Sequence, residues 1–79
     1  MRIIGDIPHE FYKITLFEWN SKFIIKIESG PYEQSFKIDQ FDINESDISA
    51  LMDTEFMKGV TRRFHEMHQE LTAAKERLD

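Results

Sequence analysis

TEFMKGVTRRFHEMHQELTAAKERL, residues 54–78, is the stretch whose reading decides the fold. Its apolar residues Met57, Val60, Phe64, Met67, Leu71, Ala74 and Leu78 recur at alternating intervals of three and four, the spacing that lines side chains up on one stripe of a helix. Phe56 widens the stripe at its start. Arg62, Arg63, Glu66, Gln69, Glu70, Lys75 and Glu76 occupy the rest of the circumference. Such a helix has one apolar partner and one wet side, so the residues ahead of it must supply a floor.

Residues 11–39 supply that floor. FYKITLFEW (11–19) is aromatic and β-branched with period two, FIIKIES (23–29) continues in kind, and YEQSFKID (32–39) alternates again. Asn20-Ser21-Lys22 and Gly30-Pro31 are turn sequences, so three strands follow one another with short reversals and pair antiparallel. Parity then sorts the side chains onto two faces. Tyr12, Ile14 and Leu16, with Phe23, Ile25 and Ile27, and with Tyr32, Phe36 and Ile38, make the apolar face expected beneath the helix. The other face is mixed: Phe11, Lys13, Thr15, Phe17 and Trp19, then Lys22, Ile24, Lys26 and Glu28, then Glu33, Ser35, Lys37 and Asp39.

Residues 1–10 hold a β-prone run, Arg2 to Ile4, stopped by Gly5 and by Pro8, and read as an N-terminal arm or an edge strand. In residues 44–52, Asn44 or Ser46 is placed to cap a short helical turn carrying Ile48, Leu51 and Met52, after which Asp53 or Thr54 starts the long helix. Gly59 lies inside that helix, where it costs about 1 kcal/mol relative to alanine, and is expected to mark close packing against the sheet. No repeat or linker divides the chain. The expectation is a single α+β domain, an antiparallel three- or four-stranded β-meander with one long C-terminal helix packed on one face.

Composition narrows the function classes. With 79 residues, 41% apolar and 13% aromatic, there is material for one core, and a domain of this size often gains stability from disulfides, metal or self-association. Cysteine is absent, which excludes disulfides and thiolate metal sites and favours the cytoplasm. No cofactor is expected. The apolar run after Arg2 is too short for a signal-peptide core or a membrane span, so no membrane partner is expected either. The net charge of −5 disfavours broad binding to nucleic acid or anionic lipid. It is unevenly spread: residues 1–40 carry a net of −1 and residues 41–79 a net of −4.

Helix length then points to assembly. At 1.5 Å per residue, 25 residues make a helix of roughly 37 Å, against roughly 24 Å for a seven-residue strand. The helix must overhang, yet its stripe continues. An apolar stripe beyond the protomer's own core marks an interface, and a homodimer through Phe64, Met67, Leu71, Ala74 and Leu78 is the expectation. The alternative is a frayed C-terminus in a monomer.

Candidate chemistry is sparse. FHEMHQE brings His65 and His68 together at i and i+3, whereas the two-histidine zinc helix needs i and i+4, and no third ligand is identifiable. No serine sits in a strand-turn-helix elbow and the three glycines are scattered, so neither nucleophilic catalysis nor phosphate cradling is expected. The mixed sheet face carries the sharper hypothesis. Lys13, Lys22, Lys26 and Lys37, interleaved with Phe11, Phe17 and Trp19, supply cations for phosphates and π-faces for unstacked bases, with Lys13, Phe17, Trp19, Lys26 and Lys37 as the expected ligand face. Glu28, Glu33 and Asp39 on the same face oppose this, and cover by the N-terminal arm or a partner subunit is the competing expectation.

The strings IIGDIP, YKITLFEWNSKFIIKIESGPYEQSFKI and RRFHEMHQEL resemble a family of small bacterial proteins of the Bacteroidetes type, of unknown function, with the same order of strands and helix. That similarity implies no activity. Separately, strands followed by one long dimerising helix are similar in topology to the transcriptional-coactivator and whirly type of single-stranded DNA-binding fold, though this chain is acidic and lacks a lysine-rich tail. The function expected is a small, non-enzymatic, homodimeric interaction or regulatory module with a protein partner. Single-stranded nucleic-acid binding through the Lys/aromatic face is the alternative.

Overall fold

Two tight turns hold the sheet in register. Trp19 and Lys22 close the first hairpin, and both residues between them, Asn20 (φ 54°) and Ser21 (φ 62°), take the left-handed conformation that a type I′ turn requires. In the next hairpin Ser29 pairs with Tyr32 across Gly30 and Pro31; the positive φ of 57° falls on the glycine, while the proline ring holds its own φ negative. The structure, a computed structural model, describes residues 1–78.

The turns connect β2 (Lys13–Trp19), β3 (Lys22–Ser29) and β4 (Tyr32–Asp39). Residues ahead of them form a further strand, β1 (Arg2–Ile7), so the N-terminal segment is an edge strand rather than an arm. The order is β1-β2-β3-β4, an antiparallel four-stranded meander. Gly5 and Pro8 do not prevent β1 from pairing. The ladder to β2 shifts by one residue between Ile3 and Gly5, and the strand ends at Ile7, before the proline. β2 starts at Lys13, so Phe11 lies outside the sheet and is 75% exposed, not part of the mixed face.

After β4 a 3₁₀ turn (Glu45–Asp47) runs into the single-turn helix α1 (Ile48–Leu51) and then α2 (Thr54–Glu76). Asn44 occupies the cap position of the 3₁₀ turn without a side-chain capping bond. Asp53 does cap α2: its Oδ1 accepts from the backbone N–H of Phe56 at 2.8 Å. α2 is continuous through Gly59 and ends at Glu76, so Leu78 follows the helix instead of closing it.

The core sits between α2, α1 and one face of the sheet. Ile14, Leu16, Phe23, Ile25 and Ile27 from the sheet, Ile48 from α1, and Val60 and Phe64 from α2 are all buried. Each such side chain contributes roughly 1.5–3 kcal/mol by leaving water. Tyr12, Tyr32, Phe36, Met57 and Met67 pack around its margin. Specific contacts fix the helix over the floor. Phe36 meets Phe56 edge to face at 5.2 Å, and Tyr12 packs on Phe64 at 5.3 Å. The Tyr12 hydroxyl bonds Thr61 Oγ1 at 2.7 Å, and the Tyr32 hydroxyl lies 2.9 Å from His68 Nδ1.

A polar bracket accompanies these. Gln34, on the helix-facing side of β4, donates from Nε2 to the carbonyl of Val60 at 2.9 Å and accepts from Arg63 Nε at 2.9 Å. The Arg63 guanidinium lies 5.9 Å from the centre of the Phe36 ring. Gly59 makes room for this arrangement, since a Cβ there would stand 3.2 Å from Arg63 Nη1. The glycine therefore admits a side chain of its own helix, not a close approach by the sheet.

Candidate functional site

Two surfaces compete as the functional site, and the first is the far end of α2. A helix of 23 residues is roughly 35 Å long, while the eight residues of β4 span roughly 27 Å. Among the described residues, the last side chain of α2 hydrogen-bonded to the sheet is His68. Beyond it the stripe leaves the core: Leu71 is 43% exposed, Ala74 is half-buried, and Leu78 is 76% exposed. The expected interface set therefore divides. Phe64 is 6% exposed within the protomer's own core and cannot meet a partner, and Met67 packs against that core at its margin. Leu71, Ala74 and Leu78 remain available.

The second surface is the sheet face turned away from α2. Cross-strand pairing sets Ile3, Phe17, Ile24 and Lys37 in one row and Asp6, Thr15, Lys26 and Ser35 in the next. Met1, Phe17, Trp19, Ile24, Lys26 and Lys37 border a shallow hollow of about 270 Å³. β1 lies beside β2 in the plane of the sheet, so it does not cover this face, and Trp19 is 52% exposed. Ile24 is nonetheless buried.

Electrostatics qualify the second surface. Lys26 Nζ lies 3.4 Å from Glu33 and 4.0 Å from Glu28, and Lys22 lies 3.8 Å from Asp39. Within the described residues Lys13 and Lys37 form no ion pair, although Lys13 stands opposite Glu28 in the ladder. Of the expected ligand-face residues, Phe17, Trp19, Lys26 and Lys37 thus share one hollow, while Lys13 sits at the far end of β2.

The remaining chemistry is structural. His68 bonds Tyr32, and the His9 ring stacks on Tyr12 at 5.0 Å while its Nδ1 accepts from the backbone N–H groups of Phe11 and Tyr12. Among the described residues no group of three or more metal-type side chains converges. A groove of about 450 Å³ runs between His9, Phe11 and the start of α2, open to solvent along its length. Among the described residues, Glu18 is the one carboxylate clearly displaced in acidity. The Arg2 guanidinium, donating from 2.6 Å, and the Gln40 amide, donating from 2.9 Å, hold it below the usual glutamate range.

No family model, curated protein or solved structure matches the chain. No helix among the described residues is long and apolar enough to cross a membrane. Sequence reasoning missed the Gln34–Arg63 bracket, whose signals were a glutamine in the middle of an apolar strand face and a glycine four residues ahead of an arginine.

Proposed function

We propose that the chain is a non-enzymatic, self-associating interaction module that acts in the cytoplasm as a homodimer and presents its surface to a protein partner. The observation that supports this is the departure of α2 from its own core: Leu71 is 43% exposed on the helix, and Leu78, just after its end, is 76% exposed. A small, cysteine-free domain gains stability by covering them. Light scattering tests the reading. The wild type is expected at twice the 9.5 kDa of the chain, and Leu71→Glu at the single-chain mass with an unchanged circular-dichroism spectrum. A wild type at 9.5 kDa under all conditions would end it.

A second reading rests on Trp19 and Phe17 beside Lys37, an aromatic pair with a cation that no carboxylate neutralises among the described residues. Single-stranded nucleic acid would stack there. The ion pairs on Lys22 and Lys26 and the net charge of −5 weigh against it. Quenching of Trp19 fluorescence by a single-stranded oligonucleotide, reversed by about 200 mM salt, is the result this reading requires.

A further inference from the structure

The two edges of the sheet differ. β1 is six residues long, is interrupted by the register shift between Ile3 and Gly5, and stops before Pro8, all features that make an edge a poor template. β4 is eight residues long and its pairing with β3 is unbroken from Lys22–Asp39 to Ser29–Tyr32. It contains no proline and no bulge. Its outer side has no strand beside it.

The hydrogen-bonding groups on that side can be assigned. Gln40 N–H donates to Ser21 C=O at 3.0 Å, in continuation of the β3–β4 ladder. Even-numbered residues of β4 therefore address β3, and by alternation Glu33, Ser35 and Lys37 turn their N–H and C=O groups, and Asp39 its N–H, to the open edge; the Asp39 C=O already accepts from the N–H of Asp42 at 3.0 Å. The side chains of the same four residues face away from α2. Glu33 and Lys37 stand two places either side of Ser35. Lys37 has no ion-pair partner within the described residues of its own chain.

We propose that β4 pairs antiparallel with β4 of a second copy about a two-fold axis through Ser35, joining two meanders into one continuous sheet. This deepens the self-association reading above and rests on it. An isologous strand pair of this kind keeps both helices on the same side of the joined sheet. In this register Ser35 faces Ser35, Glu33 faces Lys37 on both sides of the axis, and Asp39 N–H meets the carbonyl of Pro31, a residue with no N–H to strand. Every outward N–H of β4 gains an acceptor, and both cross-strand charge pairs are attractive.

Neighbouring registers are worse. An axis through Phe36 sets Glu33 against Asp39 twice. An axis through Lys37 sets lysine against lysine, and one through Gln34 leaves Asp39 without a strand partner. On the helix side the Ser35 register lays Tyr32 and Gln34 of one copy against Ile38 and Phe36 of the other, beside an apolar groove of about 390 Å³ between β4 and the helices.

The test is solution mass over a dilution series, with circular dichroism to confirm folding. Ser35→Pro removes only an outward N–H, which the protomer's own ladder does not use, and is expected to give a folded monomer. Lys37→Glu and Glu33→Lys each turn both symmetric pairs repulsive and are expected to weaken dimerisation about 10-fold or more, while the double exchange restores it to within about 3-fold of wild type. If Ser35→Pro does not fold, the charge exchange decides alone. A wild-type dimer that Leu71→Glu dissociates, but that all the β4 variants leave intact, overturns the strand pairing and keeps the helix-end reading. A wild type that is monomeric throughout overturns both.

Discussion

At the end of the sheet where β2 stops, the Glu18 carboxylate accepts from Arg2 and from Gln40, fastening the start of β1 and the residue after β4 to one point. Phe56, in the first turn of α2, packs on Phe36, and Asp53 caps the helix. At the opposite end α2 passes His68 and runs on past the sheet, with Leu71 and Leu78 in water. One helix therefore serves two purposes along its length. Its first half closes the core, and its last turns add nothing to that core.

Substitutions placed along α2 break or sharpen this division. Phe64→Ala empties a buried site against Tyr12 and is expected to remove about 3–5 kcal/mol of stability, measured by urea unfolding. That is most of what a domain of this size possesses. Asp53→Ala deletes the cap bond to Phe56 and is expected to remove about 1 kcal/mol by the same measurement. If it proves neutral, the fastened end is held by packing alone.

The Glu18 clasp has a pH signature. Its acidity is held below the glutamate range in the folded chain, first by the Arg2 bond and then by the Gln40 bond. A depressed folded value means that the stabilisation is fully present above the unfolded value and is lost as pH falls through the folded one. Arg2→Ala should therefore lower the melting temperature slightly at neutral pH and converge with wild type at the acid end, which flattens the acid limb of the profile. The clasp faces solvent, so the change is small. Smallest of all is Leu71→Ala, expected within about 0.5 kcal/mol of wild type in dilute solution. A loss there matching that of Phe64→Ala would abolish the distinction between the two halves of α2.

The meander was legible because local rules agreed over residues 11–39: alternation set the faces, and Asn20-Ser21 and Gly30-Pro31 set the turns. The helix was legible from its period and from Asp53 ahead of it. Gly5 and Pro8 oppose strand formation locally, which leaves residues 1–10 between arm and strand in sequence; pairing with β2 outweighs them through a one-residue shift. Sequence spacing points Gly59 at the sheet, because it cannot show that Arg63 folds back over its own helix to reach Gln34. The stripe is uniform in sequence and so places Phe64 with the interface residues; only the length of the sheet reveals where the core stops. On the outer face the aromatics and lysines were visible, but the neutralisation of Lys26 depends on the diagonal across β3 and β4.

The strand order β1-β2-β3-β4 also has a consequence in time. Every strand pairs with its neighbour in sequence, so the sheet needs no long loop closure and can form while the chain is still being made. The sheet is complete at Asp39, whereas Val60 and Phe64, which cover its apolar face, arrive more than twenty residues later. At about 5–20 residues per second the interval is about 1–5 s. During it Ile14, Leu16, Phe23, Ile25 and Ile27 face water on a sheet whose β4 edge is open, so the nascent chain is most exposed to aggregation just before its last helix emerges.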